Sequence, residues 1–258
     1  MKKLVLGFLF LAPTLLLAQS EFDGAWRINL QNTQYVGKET HSLKDGVFQC
    51  SSCDPKLDAK ADGQDHPLTG SPYSDAVNIR VVDDRTVEVV SKKNGMMVSS
   101  SKISASPDGK MLTTEFITVT QGGQNITGKY TSSRVGAAPA AAHRISGTWQ
   151  PGKLDNVSEN AMEVTYKSNG DGLSMSDKSG NSYTAKFDGK DYPYKGDPGV
   201  TSVVLRKIDG RTVEETYKRD GKIIAVNRMT IAPGEKTMTV SAQDKVRDVT
   251  IKWTASKR

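Results

Sequence analysis

The chain repeats itself, and no other feature limits its fold as strongly. Asp62-Gly63-Gln64-Asp65-His66-Pro67 recurs 126 residues on as Asp188-Gly189-Lys190-Asp191-Tyr192-Pro193, and the correspondence runs without a gap to Thr113 over Thr239. Identical pairs include Val77/Val203, Arg80/Arg206, Asp83/Asp209, Lys92/Lys218, Gly95/Gly221 and Pro107/Pro233, with Arg85-Thr86-Val87-Glu88 over Arg211-Thr212-Val213-Glu214. Two copies of one folding unit follow. Each copy opens on Gly-x-Trp, at Gly24-Ala25-Trp26 and Gly147-Thr148-Trp149, and closes on an aromatic, Tyr130 and Trp253. These ends are offset by 123 residues, so the second copy gains residues early and loses them late, as loops do around a fixed core.

Within a copy the hydrophobic period is two. Met162, Val164 and Tyr166 share one side of a strand, as do Tyr183, Ala185 and Phe187, and Val249, Ile251 and Trp253. Lys, Glu, Thr and Ser fill the alternate positions, the pattern of half-buried antiparallel strands. Asp45-Gly46, Asn94-Gly95, Asp108-Gly109, Asn169-Gly170, Asp188-Gly189 and Asp220-Gly221 supply the positive φ angles that tight hairpins require. Eight to ten short strands per copy describe a meander, and closing it into a barrel removes its unpaired edges. The expected fold is therefore all-β: two tandem antiparallel up-and-down barrels, residues 22–134 and 146–258, joined by an Ala-rich linker over 135–145. A single larger barrel built from both copies, or two curved open sheets, is also compatible with the pattern. A lipid-spanning barrel is disfavoured, because Arg206, Glu214, Lys218 and Arg228 would interrupt its outward apolar band.

Lys2 and Lys3 precede an apolar run from Leu4 to Leu17 and a small-residue exit at Ala18-Gln19-Ser20. Residues 1–18 are expected to be a cleaved secretory leader, which places the protein in the periplasm or outside the cell. The run is shorter than the roughly 20 apolar residues of a transmembrane anchor. The rest of the chain suffices for two domains of about 110 residues each. Lys and Arg number 35 against 29 Asp and Glu, a formal charge of +6. Bases alternate with acids instead of massing beside exposed aromatics, so no nucleic-acid groove is expected.

The Gly-x-Trp opening strand, the meander and the closing strands at Lys129-Tyr130 and Lys252-Trp253 resemble the calycin group, which includes lipocalins and fatty-acid-binding proteins. The stretch from Tyr183 to Pro193, followed by Arg211-Thr212-Val213-Glu214 and Lys236-Thr237-Met238-Thr239, is similar to a set of exported bacterial proteins. What the calycin resemblance implies is a barrel whose interior holds a small apolar or amphipathic ligand, with Trp26 and Trp149 plugging the closed ends. Arg80 and Arg206 sit at matching strand positions, and in fatty-acid-binding barrels an inward Arg holds a carboxylate head. The competing reading is a surface partner for Glu88 or Glu214. Tyr183 and Tyr217 complete the candidate ligand contacts.

Cys50-Ser51-Ser52-Cys53 occurs only in the first copy. In an exported chain it reads first as a short disulfide. Metal binding would recruit His41, Asp54, Asp58 or His66, although zinc ribbons use two such Cys pairs. Redox catalysis of the thioredoxin type calls for a helix after the motif, where Asp54-Pro55 stands. Asp62, Asp65, Asp188 and Asp191 lack the bidentate Glu of a calcium loop. No nucleophile elbow appears, and the three His lie in separate contexts. The expected function is non-catalytic binding of a small lipophilic ligand without a cofactor. The alternatives are a ligand-free envelope module with filled barrels and a metal or redox role at Cys50 and Cys53.

Overall fold

The computed structural model describes residues 20–234 and 236–258. The leader expected at 1–18 lies outside the described residues. The first copy forms β1 (Gly24–Val36), β2 (Glu39–Lys44), β3 (Val47–Cys50), β4 (Leu57–Lys60), β5 (Asp62–Pro67), β6 (Ala76–Val81), β7 (Thr86–Lys93), β8 (Met96–Ala105), β9 (Met111–Val119) and β10 (Asn125–Val135). The second forms β11 (Gly147–Asp155), β12 (Glu163–Ser168), β13 (Gly172–Asp177), β14 (Ser182–Lys186), β15 (Tyr192–Lys195), β16 (Ser202–Lys207), β17 (Thr212–Arg219), β18 (Lys222–Ile231), β19 (Thr237–Asp244) and β20 (Val249–Lys257). The strands correspond one to one, and the period-two pattern accounts for them. Asp45, Asn94 and Asp220 adopt positive φ at the hairpin turns, where an Asx side chain tolerates that region.

The strands assemble into two barrel-shaped antiparallel sheets, but not by sequence halves. β1 pairs with β12 and β20, whereas β11 pairs with β10 and β2. The two Gly-x-Trp strands are thus exchanged between copies. One barrel is β1 with β12 to β20; the other sheet is β11 with β2 to β10. Matching pairs confirm the equivalence: Trp26 faces Val164 as Trp149 faces Glu39, and Gly24 faces Tyr166 as Gly147 faces His41. The contiguous division into 22–134 and 146–258 is corrected accordingly. So is the linker: residues 135–145 join β10 to β11, two neighbours in one sheet, and the chain crosses between sheets at Gly37-Lys38 and at 156–162. The exchange is possible because both opening strands carry the same pattern, so either completes either sheet.

Each exchanged Trp plugs the core it enters. Trp26 and Trp149 are fully buried, and their indole N–H groups donate to Phe22 O at 2.7 Å and Ile145 O at 2.9 Å. Arg134 lies 4.0 Å from the Trp149 ring centroid and donates to the carbonyls of Gly109, Ser146 and Arg144. Lys257 sits 5.4 Å from Trp26 in the same place. At the opposite ends the halves meet. Arg219 pairs with Asp54 at 3.4 Å, and Tyr73 packs so closely on Gly199 that any Cβ there would overlap its hydroxyl.

Only one seam differs. The second barrel closes through Ser182 opposite Lys195 and Tyr183 opposite Tyr194. In the first sheet β4 and β5 are the two ends of the strand order and do not pair.

Candidate functional site

The interior of the second barrel is built around a carboxyl group. Along β17 the inward positions are Val213, Glu215 and Tyr217, and Glu215 is fully buried. Tyr183 donates to its Oε1, Tyr217 to its Oε2 at 2.6 Å, and Asn227 to Oε2 at 3.4 Å. Tyr194 packs at a tilt against Tyr183 and meets Tyr217 edge-on, with centroids 6.2 and 5.6 Å away. Burial pushes the Glu215 carboxyl above its ordinary range, while hydrogen bonds from Tyr183, Tyr217, Asn227 and Tyr166 pull it back. Burial, reinforced by the Glu215 charge, lifts the phenols of Tyr166, Tyr183 and Tyr217 far above theirs. Both oxygens of the buried carboxyl accept hydrogen bonds, which is how a buried polar cluster becomes tolerable.

The first sheet replaces all six members of that cage. Val89 stands for Glu215, Leu57 for Tyr183, Leu68 for Tyr194, Ser91 for Tyr217, Ser101 for Asn227 and His41 for Tyr166. Each replacement is smaller. Polar groups appear instead on β2, β9 and β10. Glu39 accepts from the Tyr130 hydroxyl at 3.0 Å through Oε1, while its Oε2 is buried without a partner and lies 3.9 Å from His41 Nε2. Both ring nitrogens of His41, the hydroxyl of Thr114 and that of Ser132 are also buried without partners. The second barrel has Val164, Tyr166, Val240 and Ala255 at the corresponding places. Burial, then the neighbouring Glu39, raises the Tyr130 and Tyr35 phenols above their usual range. Phe116 packs 6.5 Å from Tyr130.

The residues expected from sequence fall elsewhere or take other roles. Arg80 is an exposed outward residue bonded to Glu88 Oε2 at 2.5 Å, and Arg206 is exposed opposite Glu214. Strand alternation turns both away from the interior, correcting the inward reading. Tyr183 and Tyr217 do line an interior, where they serve Glu215. Cys50 and Cys53 are joined in a disulfide after β3, so neither presents a thiolate, and His66 is bonded to Asp62 at 2.8 Å. The structure does not gather Cys50, Cys53 and His66 into a ligand set. Among the described residues no group of three or more His, Cys, Asp or Glu forms that could hold a metal ion. The repeated aspartates have structural partners: Asp65 pairs with Lys92 at 2.7 Å and Asp191 with Lys218 at 2.9 Å, across equivalent strands.

Glu39 and Glu215 were missed because a charged residue within an alternating strand reads as outward. The signal was their parity: Glu39 shares a face with His41 and Leu43, and Glu215 with Val213 and Tyr217. A groove of about 460 Å³ lies on the outside of the second barrel, over Thr165, Lys167, Ser174, Thr184 and Lys195. No described helix is long and apolar enough to cross a membrane. No protein-family model matches the chain, no curated protein matches it, and no solved structure matches it.

Proposed function

We propose that the chain is an exported, non-catalytic binding protein that takes a small amphipathic ligand into the interior of its first sheet, while the filled second barrel serves as structural support. The observation that carries this reading is the set of six substitutions around the position of Glu215. They put smaller side chains in one copy where the other has a carboxyl, an amide and four tyrosines, and the same interior holds polar atoms of Glu39, His41, Thr114 and Ser132 without hydrogen-bond partners. A buried polar atom without a partner costs about 1–3 kcal/mol, so a ligand that supplies partners recovers that energy on binding. Apolar contact is available from Leu57 and Leu68, half-buried beside the unpaired β4–β5 seam, and from Val89 on β7. A pocket with an apolar lining and a few placed polar groups is the usual form of a small-molecule site. The calycin resemblance agrees with this reading, and the Cys50–Cys53 disulfide and the leader pattern agree with export.

The test is native mass spectrometry of the protein purified from its own host. An adduct of a few hundred daltons is expected, absent from a variant filled by Leu57→Tyr and Ser91→Tyr, the residues of the other copy. A bare mass for the native protein under gentle desolvation would overturn the reading and favour a ligand-free envelope module.

A further inference from the structure

We infer that the first sheet selects ligands with an organic ammonium head, held by Glu39. The inference rests on the binding reading above and names the chemistry of its ligand. Only one of the two Glu39 oxygens accepts a hydrogen bond, from the Tyr130 hydroxyl; Oε2 is buried without one, 3.9 Å from His41 Nε2. A buried carboxylate oxygen without a donor is among the most expensive unmade interactions in a protein interior, and a cationic donor compensates it best. Aromatic rings stand around the carboxylate. Tyr130 touches it, Phe116 packs on Tyr130, and Tyr35, on the crossing strand β1, is close enough for the Glu39 charge to bear on its phenol. A carboxylate with aromatic residues in its neighbourhood suits an ammonium group.

Two nearby arginines are already committed, which leaves the His41 imidazole as the basic group facing Oε2. Arg134, on the same strand as Tyr130, gives its donors to three backbone carbonyls and its face to Trp149. Arg247, beyond Tyr35, pairs with Asp244 at 2.6 Å. Neither is bonded to Glu39. The His41 imidazole and the Ser132 and Thr114 hydroxyls, unpartnered in the same interior, suit the polar atoms flanking an ammonium. The ligand's apolar part then faces Leu57, Leu68 and Val89. In the second barrel the position of Glu39 is Val164, so that half has no equivalent charge to offer.

Three probes of equal chain length separate the possibilities: dodecylammonium, dodecanol and dodecanoate, each titrated calorimetrically into the full-length protein below its aggregation concentration. One dodecylammonium is expected to bind per chain, more tightly than either other probe, and Glu39→Gln is expected to weaken it by on the order of 10- to 100-fold, the worth of a charged hydrogen bond. The near-isosteric Gln preserves the Tyr130 contact, and an unchanged unfolding curve for the variant verifies its fold. Dodecanol or dodecanoate binding as tightly as dodecylammonium, or a Glu39→Gln variant that binds dodecylammonium like the native chain, overturns the ammonium assignment and leaves the binding reading standing. If no probe binds but a host-derived adduct is present, the assignment alone falls. If both are lacking, the binding reading falls with it.

Discussion

The two halves share ten strands, a register and a Trp plug, yet they treat their buried polar groups in opposite ways. The second barrel closes its seam and encloses Glu215 in donors, every one partnered. The first sheet leaves β4 and β5 unpaired and keeps Glu39, His41, Thr114 and Ser132 with bare polar atoms. The second interior satisfies its buried carboxyl internally, while the first contains buried polar atoms without hydrogen-bond partners.

The comparison breaks most visibly if the strand exchange is wrong. Trp26→Ala is expected to destabilise the barrel of residues 163–257, and Trp149→Ala the sheet of residues 39–135, each by about 3–5 kcal/mol, the usual cost of removing a buried Trp. Hydrogen exchange resolved by peptide reads which half loosens. Loss of protection in the same sequence half as the mutation would return the molecule to contiguous barrels.

Next in size is the Glu215 cage. Glu215→Ala strands the hydroxyls of Tyr183 and Tyr217 and should cost the second barrel about 2–4 kcal/mol, while Glu215→Gln, which keeps an acceptor, should cost less. The pH dependence follows from the raised carboxyl. The folded barrel holds this proton more tightly than the unfolded chain does, so the stability it contributes is complete below the ordinary 4.5 and is lost as pH rises through the folded-state value. Urea unfolding from pH 4 upward should show that decline in the native second barrel and a flatter profile in Glu215→Gln. The first sheet, with Val89 at this position, should lack it. An identical slope in native and variant proteins would remove Glu215 as the cause.

The disulfide belongs to the first sheet alone. Cys50→Ser should destabilise that half by about 2 kcal/mol, the loop-entropy worth of so short a closure, and leave the second barrel unchanged. The smallest effects should run in the opposite direction. Thr114→Val and Ser132→Ala import the residues of the other copy and remove unpartnered hydroxyls, so each should stabilise the ligand-free first sheet by about 1 kcal/mol. Chemical denaturation of the ligand-free protein checks this, and destabilisation by either change would mean that those hydroxyls already have partners.

Much of this architecture is legible in the residues. Alternation along Tyr183 to Phe187 and Val249 to Trp253, with Asx-Gly turns between strands, predicts an all-β chain with eight to ten strands per copy, and the Cys pair predicts its own disulfide. The site was only half legible. Tyr183 and Tyr217 announce an interior by their size, but what they surround is a glutamate that simple alternation assigns to solvent. Aligning the copies by strand register, with Val89 under Glu215 and Leu57 under Tyr183, exposes the contrast once the inward parity is known. Arg80 and Arg206 mislead because two identical arginines look like a repeated site, while both are exposed outward residues, Arg80 bonded to Glu88 and Arg206 opposite Glu214 across the strands.

The sequence by itself determined the local rules: the period that makes strands, the turns that join them, the repeat that makes two sheets and the short cross-link at Cys50 and Cys53. Those rules act over a few residues, where backbone sterics and side-chain alternation leave little choice. Only the tertiary structure decided that the Gly-x-Trp strands change places, that 135–145 lies within one sheet and that Glu39 and Glu215 point inward. The two opening strands share Gly-x-Trp, so that local motif does not say which sheet each completes. Which sheet each completes depends on contacts between residues more than a hundred positions apart, such as Trp26 with Val164 and Trp149 with Glu39.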